Sequence, residues 1–299
     1  MNRLLIIEEE AAVKNIGFIG VGIMGKSMVR NLMKAGFSLH IFARTKAKVE
    51  DVIREGAVFH DSIGSCVKGC DAIITIVGYP KDVEEVYCSE EGIFHYAAPD
   101  TYLIDMTTSS PALAQKLYQE GKKKGVHVLD APVTGGDVGA KNGTLSILVG
   151  GEKEDFHTCL PLFQAMGTNI NYEGEAGNGQ HTKMVNQIMI AANLSGVCEA
   201  LSYAKQKGLD MNAVLNAVSS GAAGSRQLEL LAPKILDQNF APGFFIKHFI
   251  KDMKLAVEEA EESGLELKIV KQVLSHYEEL GKRGYEDLGT QALIKYYEQ

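Results

Sequence analysis

The chain of 299 residues lacks the patterns that mark several common protein classes. Its five cysteines form no C-x-x-C pair and no zinc-ligand spacing, which favours free thiols in a reducing compartment and predicts a cytoplasmic protein. No His-x-x-x-His pattern or carboxylate cluster suggests a metal, so the sequence predicts no metal site. The Gly-x-Ser-x-Gly pattern of many serine hydrolases is also absent.

The sequence also lacks a net positive charge and long apolar runs. The formal net charge is −8, which disfavours a non-specific nucleic-acid surface and an anionic membrane surface as partners. No apolar run approaches the roughly 18 residues of a membrane span. The first apolar run, residues 4–7, is too short for a signal peptide and is followed by three glutamates, so residues 1–13 are predicted to be a short extra strand or a frayed extension.

What the chain does contain is a glycine-rich turn between two apolar runs near its start. Residues 16–19 and 39–43 predict buried strands, and between them Gly20, Gly22 and Gly25 are spaced G-x-G-x-x-G before a helical pattern. In this context the spacing predicts a dinucleotide site. The three glycines are expected, in order, to permit the tight turn, to let the backbone approach a pyrophosphate and to let helix pack on strand. The helix N-terminus would then face the phosphates with free N–H groups.

The rest of the chain predicts two domains of different class. Strand and helix patterns alternate to about residue 177, which indicates a mostly parallel, doubly wound α/β sheet of the Rossmann type. From residue 178 onward the pattern is helical, beginning with one long helix over 179–207 and ending with a helix from about Tyr285. We therefore predict an N-terminal extension over 1–13, an NAD(P)-binding domain over 14–177 and an all-α substrate and oligomerisation domain over 178–299.

The residues after the second strand predict the choice of cofactor. NAD-binding units commonly carry an acidic residue here to hold the ribose 2′-OH, but this chain has Ala43 followed by Arg44 and Thr45, with Lys48 beyond. A guanidinium and a hydroxyl would bind a 2′-phosphate through charge-assisted hydrogen bonds. We predict NADP(H), with NAD(H) possible. The alternative, a solvated helix start, fits Lys46 better than Arg44.

Five stretches together resemble the β-hydroxyacid dehydrogenase family, which includes 3-hydroxyisobutyrate dehydrogenase and tartronate semialdehyde reductase. They are GFIGVGIMGKSM at 17–28, DMTTSSP at 105–111, DAPVTGGDVGAKNGTLSILVGG at 130–151, GQHTKMVNQ at 179–187 and KHFIKDMKLA at 247–256. The motifs follow the order and spacing of the family from about residue 14 to the C-terminus. The resemblance implies hydride transfer between a nicotinamide cofactor and a small β-hydroxyacid or its semialdehyde.

Lys183 is the predicted catalytic residue. Asn186 and Gln187 follow it by three and four residues, so the three share one helix face and are predicted to contact the substrate together. Burial and the positive end of the helix dipole would both disfavour an ammonium in the first turn and lower the pKa of Lys183. Such a group suits general acid–base work on a carbonyl oxygen. The resemblance implies this role for Lys183 and a substrate-orienting role for Asn186, whereas the residues alone would favour a solvated surface lysine.

A second stretch predicts where a substrate carboxylate binds. Thr134, Gly135 and Gly136 follow a predicted strand, and consecutive glycines expose N–H groups that can form an anion-binding concavity. The resemblance implies that this segment holds the carboxylate, with Thr134 at a position where many members have serine. The alternative is a plain turn between strands.

Further cofactor contacts are predicted at strand ends and by the resemblance. They are Ile23, Met24, Val77, Gly78, Tyr79, Thr107, Thr108 and Lys251. Ligands of open α/β sheets bind at the carboxyl ends of strands, and one of the two threonines is predicted to touch the nicotinamide end. Lys251 is implied to reach the cofactor, the alternative being a solvated lysine beside Asp252. Arg226 either pairs with a second substrate carboxylate or lies on the surface.

The sequence as a whole predicts an NADPH-dependent reductase of small carboxylate semialdehydes, with the substrate between the domains against Lys183 and residues 134–136. An NAD-dependent dehydrogenase of the 3-hydroxyisobutyrate type and a non-catalytic nucleotide-binding module are the alternatives. The long helix would span about 40 Å, and residues 188–197 contain few polar side chains. We therefore predict a homodimer or homotetramer.

Overall fold

The computed structural model describes residues 13–298, so the predicted extension over 1–13 lies outside the described residues except for Val13. The chain forms two compact units. The first, here called the sheet unit, contains the described residues 13–107 together with 112–135 and 139–179. The second, the helical unit, contains the residues from 180 onward and two short segments, 108–111 and 136–138.

The sheet unit is a doubly wound α/β structure, as predicted. Within residues 13–298 its strands are β1 Asn15–Ile19, β2 Ser38–Phe42, β3 Val58–His60, β4 Ala72–Thr75, β5 Tyr102–Asp105, β6 His127–Asp130, β7 Val133–Thr134, β8 Leu145–Gly150 and β9 Gly167–Gly174. The strand order is β3-β2-β1-β4-β5-β6-β8-β7, with β9 also paired to β8. Strands β1 to β6 are parallel to one another, whereas β8 runs antiparallel to β6 and β7.

Helices connect these strands. They are α1 Ile23–Lys34, α2 Glu50–Arg54, α3 Ile63–Val67, α4 Pro80–Cys88, α5 Ile93–Tyr96, α6 Pro111–Lys124, α7 Gly136–Asn142 and α8 Lys153–Met166, with a 3₁₀ helix at Lys46–Val49. Successive strand residues enter different cores: Ile74 and Ile104 pack in one cluster, Ile73 and Leu103 in another. This alternation follows from the pleat of a strand covered on both faces. The order of β3 to β6 places a topological switch point between β1 and β4.

The helical unit is built from α-helices, as predicted. They are α9 Asn178–Gln206, α10 Met211–Ser219, α11 Arg226–Leu236, α12 Ile246–Glu262, α13 Lys268–Lys282 and α14 Ile294–Tyr297, with a 3₁₀ helix at Thr290–Leu293. A core of buried apolar residues from these helices surrounds Phe249 and Tyr277. The ring centroids of that pair lie 5.2 Å apart in an edge-on arrangement.

One helix prediction was wrong. The last helix does not begin near Tyr285, because residues 286–288 form turns and Gly289 forms an isolated β-bridge with Phe245, so this segment hydrogen-bonds to the residues around the start of α12. Ile246 N donates to Leu288 O over 2.9 Å, and Thr290 N donates to Phe244 O over 3.0 Å. Helical periodicity cannot reveal a contact between segments 40 residues or more apart, so the sequence pattern misplaced this boundary.

Candidate active site

The glycine turn after β1 leaves no room for a side chain at two of its three glycines. Gly20 has φ +99°, and a Cβ there would lie 2.1 Å from Ile76 O, so only glycine fits this turn. A Cβ on Gly25 would lie 2.2 Å from Gly20 O, which explains the close packing of α1 on β1. At Gly22 a Cβ would meet nothing within 4 Å, so the backbone is open to a ligand.

The N-terminus of α1 is suited to an anion. Gly22 is its N-cap residue and provides no side-chain hydrogen bond, and the first turn contains no acidic residue. The predicted contacts Ile23 and Met24 are the first two residues of the helix, and Ile23 is exposed. Unpaired N–H groups and the positive end of the helix dipole fit the pyrophosphate of a dinucleotide.

Basic side chains follow β2 at the position that discriminates between cofactors. Arg44, Thr45 and Lys48 are exposed, and within residues 13–298 Arg44 makes no hydrogen bond or ion pair. By contrast, Lys26 and Arg30 on α1 are paired with Asp51 at 2.8 and 2.7 Å. The guanidinium of Arg44 is therefore available to a ligand phosphate.

The loops after β4 and β5 are joined by a buried hydrogen-bond network. Val77 N donates to the Thr107 hydroxyl over 2.9 Å, and Thr107 N donates to Asp105 Oδ1 over 3.1 Å. Thr75, in register with Asp105, donates its hydroxyl to the same oxygen over 2.8 Å. Gly78 and Tyr79 complete the β4 loop, and Tyr79 N donates to Asp82 Oδ2 over 2.9 Å. The structure thus ties two predicted cofactor loops to one carboxylate.

The predicted carboxylate-binding segment adopts a backbone that favours glycine. Gly135 and Gly136 have φ values of +126° and +65°, in the left-handed half of the φ range. Thr134 pairs with Ser146 of β8, which fixes the end of β7. Other residues adopt these φ values only with strain, which accounts for the two consecutive glycines.

Lys183 is buried in the helical unit, with 6% of its surface exposed. Burial lowers its pKa from 10.5 to about 8; the nearby charge of Asp252 opposes the shift and that of Lys251 adds to it. The prediction that Lys183 lies in the first helical turn, where the dipole would lower its pKa, was wrong: α9 begins at Asn178, and Lys183 is in its second turn. The dipole effect is largest in the first turn, so desolvation is the cause we assign.

The other polar residues of this face connect to α12. Gln187 donates from Nε2 to Asp252 Oδ2 over 2.6 Å and accepts from Asn186 Nδ2 over 2.7 Å. Lys251 Nζ lies 2.8 Å from Asp252 Oδ1 and donates to the backbone oxygen of Thr108. Lys251 is therefore mostly buried and paired, which excludes the alternative of a solvated lysine.

The loop after β5 is also anchored by α9. Gln180 is fully buried, and its Oε1 accepts a hydrogen bond from Ser109 N over 2.9 Å. Within the helical unit, residues 108–109 are thus held both by α12, through Lys251, and by α9, three residues before Lys183. This arrangement connects a predicted cofactor contact to the helix that carries the predicted acid.

Other candidates have no role in these contacts. The guanidinium of Arg226 is exposed and pairs with Glu229 at 3.1 Å, as expected of a surface residue.

Among residues 13–298 no group of three or more His, Cys, Asp or Glu side chains could hold a metal ion. In the same part of the chain, no helix combines the length and apolar character needed to cross a bilayer.

Sequence reasoning missed Asp105, Gln180 and Asp252. Each lies in one of the stretches that carry the family resemblance, but the sequence analysis assigned roles only to other residues of those stretches. The available signal was a polar residue at a position where strand or helix periodicity predicts burial, because a buried polar side chain needs specific partners.

Two family models together cover nearly the whole chain. Residues 15–174 match the NAD binding domain of 6-phosphogluconate dehydrogenase, and residues 177–297 match the model described as NAD-binding of NADP-dependent 3-hydroxyisobutyrate dehydrogenase. The cofactor is accordingly a nicotinamide dinucleotide.

Individual proteins resemble the chain along most of its length. The "Uncharacterized oxidoreductase YkwC" of Bacillus subtilis is 52% identical over 94% of this chain and 98% of its own. "Probable 3-hydroxyisobutyrate dehydrogenase-like 1, mitochondrial" of Arabidopsis thaliana is 42% identical over 93% of this chain and 84% of its own. The structure of Mycobacterium tuberculosis 3-hydroxyisobutyrate dehydrogenase with L-serine has a TM-score of 0.86 and 26% identity, covering 95% of this chain and 98% of that one. On its sequence motifs, its fold and these matches, the chain belongs to the β-hydroxyacid dehydrogenase family of NAD(P)-dependent oxidoreductases.

Proposed function

We propose that the protein transfers a hydride between NADP(H) and a small β-hydroxyacid or its semialdehyde, with Lys183 as general acid and base. The observation that carries the proposal is a buried lysine with a pKa near 8, beside the carboxylate of Asp252. A group with this pKa exchanges its proton readily near neutral pH, whereas a solvated lysine would hold it.

In the proposed mechanism, Nζ of Lys183 exchanges the proton that the reaction requires with the substrate oxygen. When bound, the reduced nicotinamide supplies a hydride for the carbonyl carbon of the substrate. The protonated Nζ of Lys183 donates its proton to the carbonyl oxygen, so the C=O bond becomes CH–OH and the lysine becomes neutral. In the oxidation direction the neutral Nζ accepts the hydroxyl proton. Asn186 and Gln187 orient the substrate, and the contact of Gln187 with Asp252 holds that amide in place.

The preference for NADP(H) is supported by Arg44. It follows β2 at the position where an acidic residue would hold a ribose 2′-OH, and it has no ionic partner in the described part of the chain. A 2′-phosphate would receive charge-assisted hydrogen bonds from the guanidinium and from Thr45. Lys48 adds a second positive charge one turn further on.

The substrate class is supported by the 134–136 segment and by a relative. We propose that Thr134, Gly135 and Gly136 bind the substrate carboxylate through a hydroxyl and backbone N–H groups. The M. tuberculosis relative is named for 3-hydroxyisobutyrate, and its structure holds L-serine. Both molecules carry a primary alcohol on the carbon next to the α-carbon, so their oxidised forms are carboxylate semialdehydes.

An activity assay tests the proposal directly. Purified protein is mixed with NADPH and a panel of carboxylate semialdehydes, and loss of NADPH absorbance is followed for wild type, Lys183→Ala and Lys183→Met. Wild type should turn over at least one aldehyde, while both variants lose about 10²- to 10⁴-fold in kcat, the usual contribution of a general acid. Lys254→Met, which removes an exposed lysine of α12, should retain full activity and serves as control.

Two outcomes would favour the alternatives. If wild type binds NADPH but reduces no aldehyde, the protein is better described as a nucleotide-binding module. If it turns over substrate with NADH as efficiently as with NADPH, the assignment of Arg44 fails and an NAD-dependent dehydrogenase of the 3-hydroxyisobutyrate type is favoured.

We also propose that the protein is a cytoplasmic homo-oligomer, dimer or tetramer. Support for the assembly comes from α9, 29 residues long, on which Val185, Met189 and Tyr203 are exposed. Exposed apolar side chains along one long helix favour burial against another chain. Support for the location comes from the cysteines, all five of which are free thiols.

A further inference from the structure

We propose that Asp105 is a positioning residue for the nicotinamide end of the cofactor, acting through Thr107 and Val77. The inference rests on the proposed function, which assigns Thr107 and Val77 to the cofactor site. Asp105 itself is the last residue of β5 and is buried, so it acts on the cofactor through other residues.

Asp105 is the acceptor at the centre of a directed chain of hydrogen bonds. Its carboxylate receives the Thr75 hydroxyl, Thr107 N–H and the Thr107 hydroxyl. Because the Thr107 hydroxyl gives its proton to Asp105, its oxygen is left to accept Val77 N–H over 2.9 Å. On the other side, Tyr87 lies 3.2 Å from the Thr75 oxygen and must be the donor, since the Thr75 proton is used. One carboxylate therefore fixes the rotamer of Thr107 and the backbone at Val77.

The position of these loops points to the nicotinamide half. The glycine turn after β1 is suited to the pyrophosphate, and Arg44 after β2 to the adenosine 2′-phosphate. A dinucleotide lies across the switch point between β1 and β4, so its other half extends over β4 and β5. Val77 and Thr107 are each the second residue after the end of one of those two strands.

A buried carboxylate at this place is costly for folding, which argues for a functional reason. Burial raises the pKa of Asp105 to about 6, and the neighbouring charge of Asp130 contributes to the shift. A neutral residue of the same shape would avoid that cost. Asparagine, however, has a single acceptor oxygen for three donors, so the Thr107 hydroxyl and Val77 N–H would no longer be held together.

The test measures binding of whole and partial cofactor by fluorescence or calorimetry. NADPH reports on both ends of the site, and adenosine 2′,5′-bisphosphate reports on the adenine end alone. Asp105→Asn and Thr107→Val should weaken NADPH binding about tenfold or more, as expected for a lost buried hydrogen bond to a charged group, and change bisphosphate binding less than about twofold. Thr107→Ser, which keeps the hydroxyl, and Tyr87→Phe, which leaves the Thr75 to Asp105 bond intact, should both match wild type.

Three results would overturn the inference. If Asp105→Asn binds NADPH as tightly as wild type does, Asp105 has no positioning role, and the proposed function is unaffected. Equal weakening of NADPH and bisphosphate binding would show a general structural role instead. Failure of wild type to bind NADPH or NADH would overturn the proposed function itself, and the inference with it; the wild-type titration, measured first, separates this case from the other two.

Discussion

Gln187 donates a hydrogen bond to Asp252 over 2.6 Å, and both side chains are almost completely buried. This contact joins α9, which carries Lys183, to α12, which carries Lys251. The negative charge of Asp252 raises the pKa of Lys183, against burial and the charge of Lys251. The pKa of Lys183 thus depends on a residue of another helix, 69 positions later in the chain, as well as on burial.

The pKa of about 8 for Lys183 predicts opposite pH dependences for the two reaction directions. Reduction needs the protonated amine, so its kcat should fall as pH rises above about 8. Oxidation needs the neutral amine, so its kcat should rise over the same range. Initial rates between pH 6 and 10 in both directions check this, with hydride-transfer steps isolated by single turnover. Parallel profiles in the two directions would contradict the assignment of Lys183.

Asp252→Asn is predicted to move these profiles to lower pH. The carboxylate raises the pKa of Lys183, so its removal should lower that pKa below 8. Asparagine can still accept the Gln187 hydrogen bond, which limits structural disturbance. Glu278→Gln, which removes a carboxylate from an exposed ion pair with Lys254, is the control and should leave the profile unchanged. A profile of Asp252→Asn identical to wild type would show that burial alone sets the pKa.

Lys183→Met is predicted to raise the free energy of unfolding at pH 7 while lowering kcat. The pKa of Lys183 is lowered in the folded protein, so below about pH 8 folding buries an ammonium that water would solvate better. Between pH 8 and 10.5 the unfolded chain binds more protons than the folded one, so wild-type stability rises with pH through that window. At pH 7 the substitution should therefore stabilise the protein by about 1–3 kcal/mol.

Urea titrations of wild type and Lys183→Met at pH 7 and pH 10 measure this difference. The advantage of the variant should shrink at the higher pH, where the wild-type amine is neutral in the folded protein. If the variant is instead less stable than wild type at pH 7, the buried ammonium of Lys183 stabilises the folded protein, and the prediction is wrong. Gains of stability at the cost of activity are typical of active-site residues.

The sequence predicts the local elements of this fold better than the contacts between distant segments. The strand Tyr102–Asp105 and the glycine turn were predicted as they are, because apolar runs and G-x-G-x-x-G spacing are local signals. The antiparallel pairing of β8 was not, because direction in a sheet is set by distant partners. The same holds within the site: Lys183 was found from its motif, but the roles of Asp105 and Asp252 depend on contacts 30 and 65 residues away in sequence.

Arg44→Asp is predicted to reverse the preference for the cofactor. A carboxylate would repel the 2′-phosphate of NADPH and could accept from the ribose 2′-OH of NADH. We expect kcat/KM with NADPH to fall about a hundredfold and that with NADH to change less than about fivefold. Lys46→Ala is the matched control, since Lys46 follows two residues later and its ammonium lies 5.0 Å from the Phe59 ring. Equal losses with both cofactors would contradict the role of Arg44.

The exposed apolar side chains of α9 predict where a second copy binds. Met189 and Tyr203 are 60% and 63% exposed, lie 14 residues apart and fall on one helix face, since 14 residues make about four turns. A charge at either position would be buried without a partner in an interface, so Met189→Glu and Tyr203→Glu should shift the protein to monomer. Light scattering after size exclusion measures the mass. Ile269→Glu, at an equally exposed apolar position on α13, should leave the assembly intact, and a wild-type protein of single-chain mass would contradict the prediction.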